Sequence, residues 1–273
     1  MFISQSAVSQ QIKALEEELG VQLFVRKSHL VSLTESGREL LPLARQILEF
    51  VSDCNERMNA LKGLMCGEMN IGATFSMEPF LRYTITDFMR KYPNVKIKVH
   101  YLGITELFEM LKNNSTDIVY SIITDEMNRA VESEPIAQYY LGAIMRKEHP
   151  LANKATISIN DLVKQVLILP EKEINDHNAI EKFLCHDANI LNIRGYINDS
   201  NALLNLLQSS NYISILAEQS ISAHPLLKCI RIEEIRNPIK VYAHFNNNIV
   251  RKNSVNVFHQ MLKDTIKLYK YKT

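Results

Sequence analysis

Ser6, Ser9, Gln10 and Lys13 fall on one side of a helical pattern near the start of the chain. They are short or flexible hydrogen-bonding groups, and amides and hydroxyls are the groups that meet base edges in the major groove of DNA. A solvated surface helix carries the same pattern, so this segment alone leaves two readings open. A second set of polar groups lies downstream. Thr74 and Ser76 stand between a strand pattern and a helix pattern, Thr124 ends another strand, and Asn198 opens a helix. Polar side chains at such junctions line ligand clefts in α/β folds, and they also serve as plain caps.

Other chemistry finds little support. The four cysteines, Cys54, Cys66, Cys185 and Cys229, form no CxxC pair and no disulfide framework. His177, Cys185 and His186 come nearest to a metal cluster, but a surface helix with incidental polar residues explains them better, so no metal site is expected. No nucleotide-binding glycine loop, GxSxG elbow or HExxH pair is present, so no cofactor and no catalytic residue is expected. The chain has 46% apolar and 22% charged residues and a net charge of +1, an ordinary soluble composition. No apolar run reaches membrane length and the start lacks a secretory pattern, so the expected location is the cytoplasm, without a membrane partner.

The elements that must position these groups are legible. Ser4 is a good N-cap, Val8, Ile12, Leu15 and Leu19 keep one helix face apolar, and Gly20 stops the helix. Residues 21–25 and 30–34 read as strands around a short basic turn at 27–29. This makes a wing with Arg26 and Lys27 placed to meet phosphates, and Thr34 is free to cap the next helix. Residues 1–64 hold seven Lys/Arg against eight Asp/Glu, so charge alone does not point to DNA. From Thr34 to about Met65 one stripe steps by four and three through Leu40, Ala44, Ile47, Val51, Cys54, Met58 and Leu61. That is a heptad seam, expected to pair two chains, with Pro42 bending its early part. From Glu68 onward strands and helices alternate, which implies βαβ units around a mostly parallel sheet.

"SQSAVSQQIKALEEELGVQLFVR" followed by "LTESGRELLPLARQIL" resembles the winged helix-turn-helix of LysR-type transcriptional regulators. "KYPNVKIKV" and "KEHPLANKATISINDL" extend the resemblance into the C-terminal part. It implies an α/β protein in which a partial winged helix-turn-helix (1–34) and a linker helix (35–66) precede a two-lobed α/β effector domain of the periplasmic-binding-protein type. Lobe I would comprise 67–137 and 241–273, and lobe II 138–240. By the same resemblance Gln5, Ser6, Ser9 and Gln10 would face DNA. Ser4, Lys13, Arg26, Lys27 and Thr34 would complete that surface, and Thr74 and Ser76 would contact an effector, with Thr124 and Asn198 as further contacts. The implied partners are promoter or operator double-stranded DNA, a small-molecule effector such as a small organic anion, and a second copy of the chain in a homodimer or homotetramer.

Three departures matter. In the family one whole helix and most of another precede the Ser-Gln of the recognition helix, whereas here only Met1, Phe2 and Ile3 do. The expectation is a chain shortened within the helix-turn-helix, and a second reading follows: a truncated effector-binding, dimerising protein with impaired DNA binding. In "LLQSSNYISILAEQ" the family's two glycines and proline are replaced by Ser210, Tyr212 and Ala217, so the turn must be made differently. Peroxide-sensing members carry a close cysteine pair, but Cys185 and Cys229 stand 44 positions apart, so no thiol switch is expected. An enzyme on the same fold is a third reading. Prephenate dehydratases use such lobes with a Thr-Arg-Phe pattern, and Thr74-Phe75 lacks that arginine.

Overall fold

The computed structural model describes residues 4–27, 30–61, 65–122, 131–171 and 191–270. The chain divides into two compact units, Met1–Lys62 and Gly63–Thr273. In the first, α1 (Gln5–Leu19) starts at Ser4, whose Oγ accepts the Ala7 N–H at 3.3 Å. It ends at Gly20 with φ 67°, a left-handed position where a side chain would be strained. The wing is the antiparallel pair β1 (Phe24–Lys27) and β2 (Leu30–Leu33). Its first strand begins later than the sequence pattern suggests. The Glu16 carboxylate accepts the N–H groups of Leu23 (2.7 Å) and Phe24 (3.1 Å), tying this stretch to α1 before strand pairing begins. Lys27 accordingly pairs with Leu30 inside the ladder rather than lying in the turn. Thr34 caps α2 (Glu35–Leu61), accepting the Gly37 N–H at 3.0 Å while donating to the Gln22 carbonyl at 2.6 Å. That one hydroxyl joins the wing to the long helix.

The second unit holds two large sheets and a two-stranded parallel pair. β3 (Gly67–Ala73), β4 (Val95–Tyr101) and β5 (Ile118–Ile122) run parallel, with α3 (Glu78–Lys91) and α4 (Ile104–Lys112) as crossovers. β13 (Ile239–Asn246) and β6 (Val131–Tyr139) join antiparallel at one side, giving the order β4-β3-β5-β13-β6. The final helix α7 (Asn253–Lys270) packs on α3, where Phe88 meets Phe258 edge-on at 5.3 Å and Thr84 donates to Thr265 at 3.0 Å.

At Tyr139–Leu141 the chain leaves β6 for β7 (Leu141–Arg146) of the other sheet, whose order is β11-β7-β12-β8. Its members are β8 (Thr156–Ile157), β11 (Ser214–Ala217) and β12 (Leu227–Ile232). β9 (Val166–Pro170) pairs in parallel with β10 (Asn192–Ile197), and a Leu167–Ile213 bridge ties β9 to the start of β11. The short α5 (Ile159–Val163) is closed by a capping box of Ser158 and Asp161. Leu203, Leu204 and Leu207 of α6 (Ser200–Gln208) are buried against Ile144 and Leu216. The turn after α6 is made by a serine side chain: Ser210 Oγ donates to the Leu206 carbonyl at 2.8 Å and accepts the Tyr212 N–H at 3.3 Å. A hydroxyl thus closes a turn for which glycine would be the usual choice. Among the described residues no helix is long and apolar enough to cross a membrane.

Candidate functional site

The first unit offers a polar helix face. Ser4, Gln5, Ser6, Gln10 and Lys13 are exposed and Ser9 is half-buried. Ser4 and Ser6 share a hydroxyl contact at 2.9 Å, and Lys13 lies 3.5 Å from Glu17, an exposed pair that leaves the ammonium available to other partners. No residue of α1 is buried, and its apolar members Val8, Leu15 and Leu19 are open. Arg26 and Lys27 lie side by side in β1. Thr34 is half-buried with its hydroxyl committed to the two bonds given above, so it holds the surface together from behind. The anchoring role of Glu16 was invisible to pattern reading, because a glutamate on a helix looks solvated until the strand it caps is known.

Along α2, Leu40 and Ala44 are half-buried, while Ile47, Val51, Cys54 and Met58 are exposed; the Leu61 side chain lies outside the described residues. Ile47 keeps 62% of its surface open, which is costly for an isolated helix and ordinary for one that pairs.

The second unit contains a cleft of about 570 Å³ between its two sheets, within the size range of small-molecule sites. From the first sheet's side, Phe75 and Glu78 line it after β3, and Tyr101 at the end of β4 with Gly103 and Glu106 beyond it. From the other side come Asn198, Asp199 and Asn201 at the start of α6. Three helices therefore begin at this cleft: α3, α4 and α6.

The 74–78 turn forms as follows. Thr74 N–H donates to the Tyr120 carbonyl and Met77 N–H to the Thr74 carbonyl, both at 3.0 Å, so a tight turn follows β3. In this turn Thr74 and Ser76 are buried, their hydroxyls 3.0 Å apart, and Phe75 between them forms the cleft wall. Gln219, buried just after β11, donates to the Ser76 carbonyl at 3.3 Å and so links the opposite sheet to the turn. Of the four residues singled out from the sequence for effector contact, Asn198 lines the cleft, Thr74 and Ser76 brace its wall, and Thr124 lies outside the described residues. Phe75 and Tyr101 were missed. Their signal was available, since each is an aromatic at the carboxyl end of a parallel strand, the place where α/β sheets receive ligands.

Glu78 accepts from Arg82 Nε at 3.1 Å. Burial, reinforced by the nearby Glu78 charge, pushes the Tyr101 phenol up to about 12, so it stays a neutral donor. Cys229 is half-buried and its thiol is pushed up to about 12 by burial, which leaves it protonated and slow to oxidise. His177, Cys185 and His186 lie outside the described residues.

Comparison with known proteins fits both units. Residues 62–267 match the model of the LysR substrate binding domain, and residues 1–38 match that of the bacterial regulatory helix-turn-helix protein, lysR family. A RuBisCO operon transcriptional regulator from Allochromatium vinosum is 30% identical over 67% of this chain, and the match spans 60% of that relative's length. Among solved structures, full-length CbnR in complex with its target DNA superposes with a TM-score of 0.66 at 21% identity, covering 96% of this chain and 91% of that one. The CcmR regulatory domain of Synechocystis PCC6803 in complex with 2-PG gives a TM-score of 0.64 at 19% identity, covering 74% of this chain and 98% of that one. At these identities the two structures speak to fold.

Proposed function

This chain belongs to the LysR family of transcriptional regulators, and we propose that it acts as a ligand-responsive regulator that binds double-stranded DNA through α1 and the wing. The observation that carries the reading is the joining, in one chain, of a polar-faced helix and wing to a two-sheet unit whose cleft is lined from both sides. The similarity to CbnR, solved on its target DNA, and to CcmR, solved with 2-PG, supports the two halves of the proposal. The role is one of binding rather than catalysis.

The parts divide the work. Gln5, Ser6, Ser9 and Gln10 meet base edges, with Ser4 at the helix end, while Lys13, Arg26 and Lys27 meet phosphates. The open stripe of α2, through Ile47, Val51 and Met58, pairs two copies and so sets the spacing of two half-sites. A small effector enters the cleft and presses on the 74–78 turn, which Gln219 couples to the other sheet. The angle between the two sheets then shifts, and with it the way dimers associate.

The direct test is binding of the full chain to a random DNA pool, followed by titration of the selected sequence against salt. A steep fall in affinity with salt is expected. Absence of any selected sequence would refute the proposal. Replacing Gln5 and Ser9 with alanine should lower discrimination between the selected and scrambled sequences by roughly 1–3 kcal/mol for each base edge left unread. Unchanged discrimination would remove these side chains from the groove. Thr74→Ala combined with Ser76→Ala should leave ligand-free DNA affinity intact and abolish its change on adding the first small molecule found to bind the cleft. A preserved change would mean that the turn does not relay the ligand.

A further inference from the structure

Helix N-termini invite anions, and three of them meet at the cleft. Here the protein has filled those places itself. Glu78 is the first residue of α3, Glu106 lies in the first turn of α4, and Asp199 is the N-cap of α6, its carboxylate accepting the Ala202 N–H at 2.7 Å. All three line the cleft, and no Lys, Arg or His stands among its described lining residues. Arg82, the neighbouring cation, is not in the lining and spends its Nε on Glu78. Asp199 caps α6, and Glu78 and Glu106 lie in first turns where the helix dipole favours acids; with Glu78 paired to Arg82, a ligand entering the cleft still meets two further carboxylates, Glu106 and Asp199. An added anion would be repelled where the bare helix ends would have attracted it.

The wall between these acids is aromatic. Phe75 and Tyr101 both line the cleft, with ring centroids 6.3 Å apart at 62°. Ring faces beside carboxylates are the usual surroundings of a bound ammonium, which the π-electrons and the acids attract together. A bare metal ion is the poorer candidate. Among the described residues no three His, Cys, Asp or Glu side chains lie close enough to share one, and the volume suits a molecule of several heavy atoms.

We propose that the effector of this cleft is a small organic cation, its positive charge seated beside the Phe75–Tyr101 wall and drawn by the carboxylates that line the cleft, Glu106 and Asp199 foremost. This rests on reading the cleft as the effector site. Asn198 and Asn201 then serve the polar remainder of the molecule.

The test is calorimetric titration of the full chain, at fixed ionic strength, with choline and putrescine as cations and with benzoate and inorganic phosphate as anions. At least one cation should bind saturably. Glu106→Gln combined with Asp199→Asn, which keeps a capping side chain on α6, should weaken that binding about tenfold or more. Melting of the variant confirms that it is folded, and Tyr101→Leu should weaken the same binding independently. Anion binding that exceeds cation binding, and that tightens in the neutralised variant, would overturn the proposal and leave the cleft standing as the effector site. Silence from both cations overturns it too, and silence from all four probes counts against the effector-site reading as well.

Discussion

Gly37→Ala is expected to abolish DNA binding by the full chain while the second unit melts as before. A Cβ at residue 37 would lie 2.2 Å from the Leu23 carbonyl oxygen and 3.0 Å from Leu33 Cδ2. The oxygen cannot easily retreat, because it accepts the Thr34 N–H at 3.0 Å and its own residue's N–H is held by Glu16 at 2.7 Å. Alanine would gain about 1 kcal/mol of helix propensity, but overpacking against fixed backbone costs about 3 kcal/mol or more. The loss wins. It also falls where there is little to spare, since Leu23 and Gly37 are the buried residues among those described in this unit. Salt-dependent binding to the selected DNA, together with calorimetric melting, checks the outcome. Wild-type DNA affinity in this variant would show that the wing need not pack on α2 as it does here.

Gly37 also shows what the sequence could and could not convey. In "LTESGREL" it reads as an ordinary glycine just after a cap, and Thr34 was legible as that cap from type and position. The close approach of the Leu23 carbonyl was not legible, because it depends on Glu16 pulling the wing's first strand onto α1 across seven residues. The second unit was easier. Strand–helix alternation through "MNIGATF", the α3 segment and "VKIKVHYL" carries the period of each element on its face, and β3, α3 and β4 follow it. The cap at Ser4 follows side-chain type in the same way.

The cleft was harder, for a specific reason. Hydroxyl type pointed to Thr74 and Ser76, but direction decides which residue a ligand meets. Two backbone bonds close a tight turn after β3 that buries both hydroxyls and leaves Phe75 on the wall, and one of those bonds comes from β5, more than forty residues away. Local pattern contains no record of that pairing. Likewise the acids at 78, 106 and 199 look like three unrelated helix starts until the two sheets bring those starts to one place. Charge at a helix end is local information, whereas the sign of a cleft is tertiary.

Acidification from about pH 7 to about pH 4.5 should destabilise the second unit by roughly 2.4 kcal/mol through His244 alone. His244 sits on β13 opposite Ser133 of β6 and Val119 of β5, fully buried, with Phe108 edge-on at 4.9 Å. Its Nε2 lies 3.3 Å from the Ser121 carbonyl, which can only accept, so Nε2 carries the proton and Nδ1 accepts from Ser133 Oγ at 2.9 Å. Burial pushes its titration down to about 4, against 6.5 for a free imidazole. The unfolded chain therefore takes up a proton below about pH 6.5 that the folded chain refuses until about pH 4, and each pH unit in that window costs about 1.4 kcal/mol. Stability is full above the window and falls within it. His259 adds in the same direction. Burial lowers its titration more than the nearby Glu134 carboxylate raises it, and its Nε2 lies 3.1 Å from that carboxylate. Glu134 is held below the usual carboxylate range, first by its hydrogen bond from Lys263 at 2.6 Å, so its contribution too is present at neutral pH and lost as pH falls through its lowered value. Urea midpoints of the second unit's transition, read across this range in wild type and His244→Gln, separate the contributions. The variant should be weaker at neutral pH, because glutamine replaces an imidazole bonded on both sides. Its slope with pH should also be shallower by about 1.4 kcal/mol per unit in the window. A ring resonance from His244 that shows no protonation until near pH 4 gives the same answer without a variant. An unchanged slope, or a resonance that titrates near pH 6.5, would mean that the β5–β13–β6 junction opens to water and that the crossing strands are looser than this packing implies.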